Sequence, residues 1–428
     1  MPTKKTQKKE DKKVMQSPRG MHDKLPESWQ YWDRIEKVIK CVSSFYNFSR
    51  IETPILEHTD LFVRGVGEGT DIVEKEMFSL KTKGGDSLVL RPEATAAVMR
   101  SYFEHGMHRL PQPVKLFYFG RMFRHERPQA GRYRQFHQYG VEILGGDSDP
   151  LYDAQTILVM YRFLAELKIE NMIVKINSIG CKKCRSSYLQ KLSNYYKKHK
   201  VCKDCERRLQ INPLRVLDCK SKQCAELKEE SPKLVDSLCG DCKTHFKGVL
   251  EYLDELELPY MLDHHLVRGL DYYSRTVFEI FLDGEDQIAL AGGGRYDYLG
   301  KIIGGKDTPA VGASAGVERA LAVAKESGLR PMPTKKKVFL VHVGAVTKRK
   351  SLSLIEELRQ NNIPVLEALG KGSLSAQLER ASKAGSPIAL IFGQKEAFEK
   401  SIIIRDMETG EQELVPLGSI VKEIKKRM

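Results

Sequence analysis

Between Phe123 and Glu142 the chain gathers side chains that could hold a phosphate, an aromatic base and an ammonium group together. Phe123-Arg124-His125-Glu126 ends one extended run, a basic loop carrying Arg132 and Arg134 follows, and Gln135-Phe136-His137-Gln138-Tyr139-Gly140-Val141-Glu142 begins another. A period of two predicts a strand, a turn and a returning strand. The odd positions Phe117, Phe119, Phe123, Tyr139, Val141 and Ile143 form a largely apolar face that should pack on a core. The even positions bring Arg124, Glu126, Phe136, Gln138 and Glu142 to the opposite face. An ordinary wet sheet face would carry Thr, Lys and Ser; a guanidinium, two carboxylates, an amide and one ring describe a binding site. His125 and His137 fall on the odd parity and are assigned to the apolar side, not to acid–base chemistry.

Four further segments offer matching chemistry. Arg91-Pro92-Glu93-Ala94-Thr95 sets a carboxylate and a hydroxyl at a strand-to-helix junction, an arrangement equally suited to capping the helix. Leu266-Val267-Arg268-Gly269-Leu270-Asp271-Tyr272-Tyr273 puts a guanidinium beside two phenols. Ala291-Gly292-Gly293-Gly294-Arg295-Tyr296-Asp297 offers backbone that a ligand can approach closely, with another phenol. Gly312-Ala313-Ser314-Ala315-Gly316-Val317-Glu318-Arg319 runs from small residues into a helix with Arg on its first turn. Turns use the same glycines, and neither glycine-rich piece is a Gly-x4-Gly-Lys-Ser/Thr loop or a dinucleotide fingerprint.

The elements that must position these residues follow from periodicity. Trp32, Ile35, Ile39, Val42 and Tyr46 predict an amphipathic helix over 27–47. Arg50–Leu56 reads as a strand interrupted by Pro54, at an edge or subunit boundary. Met77–Leu80 and Leu88–Arg91 form a hairpin, Glu93–Glu104 and Pro150–Leu167 helices, and Ile173–Ser178 a strand. Strands resume over Met261–Leu282 and Gln287–Ala291, and a helix starts near Val317. Residues 328–337 are a linker. Beyond it strand and helix alternate through 338–392, the pattern of a small α/β domain. The expected divisions are a disordered basic tail 1–17, a catalytic domain 18–327 interrupted by an insertion at 181–245, and a C-terminal domain 338–428.

At 428 residues there is room for several cores, and 41% hydrophobic with 29% charged residues is a globular composition. The net charge of +14, 70 basic against 56 acidic residues, favours a polyanionic partner, RNA or DNA first. Simple solubility would also account for it. No apolar run approaches the ~18 residues of a membrane span, and no apolar signal core opens the chain, so no membrane association and a cytoplasmic location are expected.

Eight of the nine cysteines fall in the lysine-rich insertion, as Cys181/Cys184, Cys202/Cys205, Cys219/Cys224 and Cys239/Cys242, with Cys41 apart. That is the ligand count of one or two tetrahedral zinc sites; free thiols in a helical insert are the alternative. Disulfides are disfavoured by the expected compartment.

Taken in this order, the five segments resemble the class II aminoacyl-tRNA synthetases and, within them, the histidyl-tRNA synthetases. The strand around Pro54 is similar to the family's first motif, its dimer interface. Phe123–Glu142 is similar to its second and Gly312–Arg319 to its third, while Arg268–Tyr273 and Gly292–Tyr296 resemble segments peculiar to the histidine enzymes. The likeness runs from about Arg19 to the C-terminus and covers the tail and insertion least. It implies an α+β catalytic domain, an antiparallel sheet flanked by helices, followed by an α/β anticodon-binding domain. It also implies ATP with magnesium, histidine and tRNA as ligands, and a homodimer. On that resemblance Arg124 and Arg268 would face each other across the ATP α-phosphate and the histidine carboxylate. Phe136 and Arg319 would sandwich adenine, with Glu126 on its amino group and Arg132 or Arg134 near pyrophosphate or the tRNA acceptor end. Gln138 and Glu142 would hold the histidine ammonium, and Glu93 and Tyr273 its imidazole, with Thr95, Tyr272 and Tyr296 completing the pocket. Lys348, Arg349 and Lys350 would meet the anticodon stem. The family does not itself imply the cysteines' metal. Two other classes, a synthetase-like regulatory subunit and a general RNA-binding regulator, would need respectively fewer ATP residues and no histidine pocket.

Overall fold

A computed structural model describes residues 14–428 apart from 130, 220, 285–288, 334, 369 and 371. Residues 1–13 of the expected tail, with their six lysines, lie outside the described residues, as do 287 and 288 of the strand expected before Ala291. The chain divides into two units, one ending at Pro331 and the other starting at Met332.

The first unit opens with α1 (Trp29–Phe45), whose buried Trp32, Ile35, Val38, Ile39 and Val42 recur at helical spacing. The short strands β1 (Ser49–Arg50) and β2 (Leu56–His58) follow, then α2 (Thr59–Val66), the hairpin β3 (Phe78–Lys81) and β4 (Ser87–Leu90), and α3 (Thr95–Glu104). The long pair β5 (Val114–Phe123) and β6 (Gln135–Leu144) leads to α4 (Pro150–Glu166), which Asp149 caps by accepting from the Leu151 N–H at 2.7 Å. β7 (Met172–Ser178) leads into the insertion, α5 (Lys182–Tyr196), α6 (Lys203–Ile211) and α7 (Lys222–Glu229), and α8 (Gly240–Glu255) brings the chain back. The unit ends with β8 (Tyr260–Leu262), β9 (Ser274–Leu282), β10 (Ala291–Arg295), α9 (Leu299–Ile302), β11 (Ala310–Gly316) and α10 (Val317–Glu326).

Eight of these strands form one sheet in the order β1-β5-β6-β11-β10-β9-β7-β8, antiparallel except for the outermost pair at each end. Phe117, Tyr139, Val141 and Ile143 pack one face onto α1, α4 and α10, as the odd parity predicts. The even face is not wet: Leu116, Tyr118, Met122 and Leu144 lie in a second core shared with α3 and the insertion.

Three expectations need correction. The strand expected across Arg50–Leu56 is two strands in two sheets, β1 beside β5 and β2 beside β4, because Pro54 has no N–H for a ladder. The strand expected to end at Ala291 runs on from there to Arg295, so the three glycines at 292–294 lie inside β10. The stretch 261–282 is extended only at its ends, leaving 263–273 as a connection that folds over the sheet.

The second unit contains β12 (Val338–His342), α11 (Ala345–Gln360), β13 (Val365–Glu367), α12 (Leu374–Lys383), β14 (Ile388–Phe392), α13 (Gln394–Phe398), β15 (Ser401–Asp406), β16 (Gln412–Pro416) and α14 (Ile420–Arg427). Its sheet runs β13-β12-β14-β15-β16, parallel in its first three strands and antiparallel thereafter. Among the described residues no helix is long and apolar enough to cross a membrane.

Candidate active site

One cleft lies over β6, β11, β10 and β9. Its wall includes Glu93, Thr95, Arg124, Glu126, Arg132, Phe136, Gln138, Arg268, Tyr272, Tyr273 and Arg319, drawn from all the chemically notable segments except 291–297, which contributes Gly292. Glycines decide how deep the polar groups sit. Gly312 pairs with Glu142 across β11 and β6, and a Cβ at 312 would lie 1.6 Å from a Glu142 carboxylate oxygen. Gly140 pairs with Tyr118, and a Cβ there would lie 2.3 Å from the phenol ring. The small residues of these strands are space for side chains lying flat across the sheet.

Glu142 is 1% exposed and lies beneath the cleft, against Gly312 of its lining. One carboxylate oxygen accepts from the Thr95 hydroxyl at 2.7 Å and the other from the Tyr296 hydroxyl. Burial pushes its pKa up to about 8, with the two hydroxyls opposing and Glu93 adding to the rise. Tyr296 reaches the pocket through Glu142, to whose carboxylate it donates. Gln138 is buried beside it and accepts from the Tyr118 hydroxyl at 3.2 Å.

Glu93 both lines the cleft and caps α3, accepting from the Thr95 N–H at 2.6 Å and the Ala96 N–H at 3.0 Å. Burial raises its pKa against those hydrogen bonds. Arg124 and Glu126 lie beyond the end of β5, where strand parity no longer governs them. Arg124 donates from Nε to the Pro92 carbonyl at 2.9 Å and sits 5.5 Å from the Phe136 ring centroid. Glu126 has Arg132 at 3.9 Å, and its backbone carbonyl accepts from Arg134 Nε at 3.2 Å. Arg319 donates to the Ala289 carbonyl at 2.5 Å; burial and the neighbouring cations Arg132 and Arg124 lower its pKa. These crowded guanidiniums would be relieved by an anion.

Arg268 crosses the cleft above Gly292, pairs with Glu279 and lies 5.8 Å from the Tyr273 ring centroid. Burial opposes its charge, but Glu279 more than offsets this and raises its pKa. Tyr272 and Tyr273 are almost fully buried, with ring centroids 4.7 Å apart.

The description "Histidyl-tRNA synthetase" matches residues 20–320, and "Anticodon binding domain" matches 337–427. The chain belongs to the histidyl-tRNA synthetase family. A histidine–tRNA ligase of Natranaerobius thermophilus is 44% identical over 417 residues, covering 96% of this chain and 99% of that protein. One from Dehalococcoides mccartyi is 43% identical over 420 residues, covering 97% and 100%. The solved apo histidyl-tRNA synthetase of S. aureus superposes with a TM-score of 0.80 at 34% identity, covering 96% of this chain and 100% of that one.

Two residues were not singled out from sequence, Glu279 on the cleft wall and Tyr118 beneath it against Gln138. Tyr118 has the right parity on β5 and faces a glycine in register, a signal that needs the strand pairing to be seen. Glu279 lies opposite Gly292 on β9, and only the fold reveals Arg268 reaching it. The histidines divide. His137 packs on Trp32 and Phe119 at 4.8 and 5.8 Å and bonds Glu318 through Nδ1 at 2.7 Å, on the odd face. His125 does not reach that face; it is exposed past the end of β5, against Phe78.

The eight insertion cysteines form two quartets, Cys181, Cys184, Cys239 and Cys242, and Cys202, Cys205, Cys219 and Cys224, each with its sulfurs within 4.8 Å of one another. None of them is joined in a disulfide, nor is exposed Cys41.

Proposed function

We infer that this chain is a histidine–tRNA ligase whose cleft joins histidine to the ATP α-phosphate and then passes the histidyl group to the 3′ end of its tRNA. The observation that carries the cleft's role is the convergence of Arg124, Arg268 and Arg319 on the space bounded by Phe136, Gln138 and the Tyr272-Tyr273 pair. The histidine carboxylate attacks the α-phosphorus in line and pyrophosphate leaves. Arg124 and Arg268 balance the charge that develops on the phosphoryl oxygens, a term that grows in a water-poor cleft. Phe136 and Arg319 clasp adenine, and Glu126 accepts from its amino group. The floor of Gln138 and Glu142, ionised, holds the ammonium. Entry of that cation favours the carboxylate over the protonated form that burial favours in its absence. Glu93 and Tyr273 address the two imidazole nitrogens, with Thr95, Tyr272 and Tyr296 closing the pocket, so an apolar isostere would leave buried polar groups unpaired. The tRNA 3′-terminal hydroxyl next attacks the activated carbonyl and AMP leaves. No side chain forms a covalent intermediate; positioning and electrostatics supply the rate.

Magnesium accompanies the ATP phosphates and neutralises part of their charge. Glu279 is the cleft carboxylate that would hold it, since Glu126 and Glu93 are given to adenine and to the imidazole. Zinc is the metal proposed for the insertion. The acceptor arm is assigned to Arg132, Arg134 and the insertion, and the anticodon stem to residues 338–428, where Lys348, Arg349 and Lys350 are exposed on α11. The homodimer is assigned to the segment around Pro54, whose neighbours Ile55 and Leu56 are 41% and 42% exposed. Histidine-dependent exchange of labelled pyrophosphate into ATP, with the other amino acids as controls, tests the first step. Exchange with histidine alone is expected; folded protein that binds histidine without exchange would refute it.

A further inference from the structure

We propose that the insertion carries two zinc ions in a nested arrangement, and that the outer one holds the segment that grips the Arg268–Tyr273 wall of the cleft. The role assigned to the outer ion rests on reading that wall as part of the histidine pocket. The metal arrangement stands apart from it.

The pairing is legible in the fold. The first and last cysteine pairs form the inner quartet, Cys181, Cys184, Cys239 and Cys242, and the middle two pairs form the outer one, Cys202, Cys205, Cys219 and Cys224. A tetrahedral zinc–thiolate site with bonds of about 2.3 Å places its sulfurs roughly 3.8 Å apart. The inner quartet has Cys181–Cys184 at 3.6 Å and Cys181–Cys239 at 4.0 Å, and the outer has Cys202–Cys219 at 3.7 Å. A disulfide would require about 2.05 Å. Backbone N–H groups also point at the sulfurs, from Cys239 to Cys184 at 3.0 Å, Ser221 to Cys219 at 3.4 Å and Cys202 to Cys224 at 3.5 Å. Such donors favour thiolates over thiols. In each pair the first cysteine is partly exposed and the second buried.

The inner site joins the starts of α5 and α8, where the insertion leaves the sheet and returns. From α5, Arg185 donates to the Tyr273 carbonyl. The outer site closes the segment between Cys205 and Cys219. From that segment Arg215 donates to the Gly269 carbonyl at 2.8 Å and to Asp71 at 2.9 Å, and Asn212 donates to Asp271 at 2.7 Å. The carbonyl of residue 269 and the side chain of residue 271 lie between Arg268 and Tyr272, so whatever fixes 206–218 also fixes the wall.

Full-length chain purified without chelator is expected to hold two zinc ions by mass spectrometry of the metal. The double variant Cys181→Ser/Cys239→Ser takes both ligands from the inner quartet and should retain one ion. Sequential pairing of the cysteines would put one of those ligands in each site and lose both ions. Zinc-free wild-type protein, a disulfide-bonded mass, or loss of both ions from that variant would overturn the arrangement. Substitution by cobalt should give thiolate charge-transfer bands equivalent to two tetrahedral sites in the wild type and one in the variant. For the grip, Arg215→Met and the milder Asn212→Ala should keep two ions and weaken histidine binding by calorimetry about tenfold, with a smaller loss for a non-hydrolysable ATP analogue, which meets this wall through Arg268 alone. Cys219→Ser, losing one ion, should shift histidine affinity the same way. Histidine affinity unchanged in all three, or ATP affinity falling as far as histidine affinity, would overturn the positioning role. Wild-type protein that holds two ions but binds no histidine would overturn that role and the ligase reading while leaving the metal arrangement standing.

Discussion

In the sheet of the second unit, Val338 and Leu340 face one apolar cluster while Phe339 and Val341 face another. In the sheet of the first unit, Tyr139, Val141 and Ile143 face an apolar cluster, but the alternate positions Gln138 and Glu142 are buried among Thr95, Tyr118 and Tyr296. Both sheets obey the same period, yet among the described residues only the first builds a buried carboxylate, Glu142, into a face. In the second unit, buried Gln377 instead serves the backbone, accepting from the His342 N–H at 3.1 Å and donating to its carbonyl at 2.9 Å. Burying charge is costly unless each group is paired. The first unit accepts that cost where a small charged ligand must be enclosed, while the second leaves its cations on the surface, as a long polyanion requires.

The contrast can be broken most severely at Asp153. It is fully buried beneath β10, with Arg295 Nε at 3.1 Å and His245 at 3.4 Å. Burial raises its pKa, but Arg295 and His245 outweigh that and hold it down at about 2. Asp153→Ala leaves the buried Arg295 with Asp297 as its remaining carboxylate, at 3.1 Å, and should destabilise the first unit by about 3 kcal/mol. Urea denaturation followed by tryptophan fluorescence reads this selectively, since the chain's two tryptophans, Trp29 and Trp32, both lie in α1. Leu390→Ala removes a fully buried side chain from the second sheet and should cost about 2–5 kcal/mol. That loss should appear in far-ultraviolet circular dichroism with the tryptophan transition unmoved; a shared shift would show that the units do not unfold separately.

Arg124→Ala should reduce histidine-dependent pyrophosphate exchange by roughly 10²–10³-fold with both unfolding transitions intact. Retained exchange would remove Arg124 from the reaction. The smallest effect expected is a slope. Because Glu142 has a folded pKa raised to about 8, the folded state keeps its proton while the unfolded state releases it near the ordinary carboxylate value of 4.5. The stability this group contributes is full below about 4.5 and falls as pH rises toward 8. Glu142→Gln should flatten that part of the first unit's stability profile, and an unchanged slope would show that Glu142 is ionised in the free protein.

Local pattern carried much of this. The helix of Trp32 and Ile35, the β5–β6 pair and the β11-to-α10 junction all express periodicities that neighbours in sequence enforce. It failed where a residue's state depends on a distant partner. Gly292–Gly294 resembles a turn, but β9 and β11 on either side make it a central strand. The hairpin of β15 and β16 and the final helix α14 were not anticipated in the second unit, whose alternating pattern stops at β14.

The sequence by itself determined the chemistry available: which guanidiniums, carboxylates, phenols and thiols exist, and on which strand face most of them stand, because side-chain type and backbone period are local properties. Only the tertiary structure decided which of them meet. The Gly312–Glu142 register, the Arg268–Glu279 pair and the nesting of the cysteine pairs each join residues far apart along the chain. Such contacts are selected by the burial free energy of the whole core, and no local window contains it.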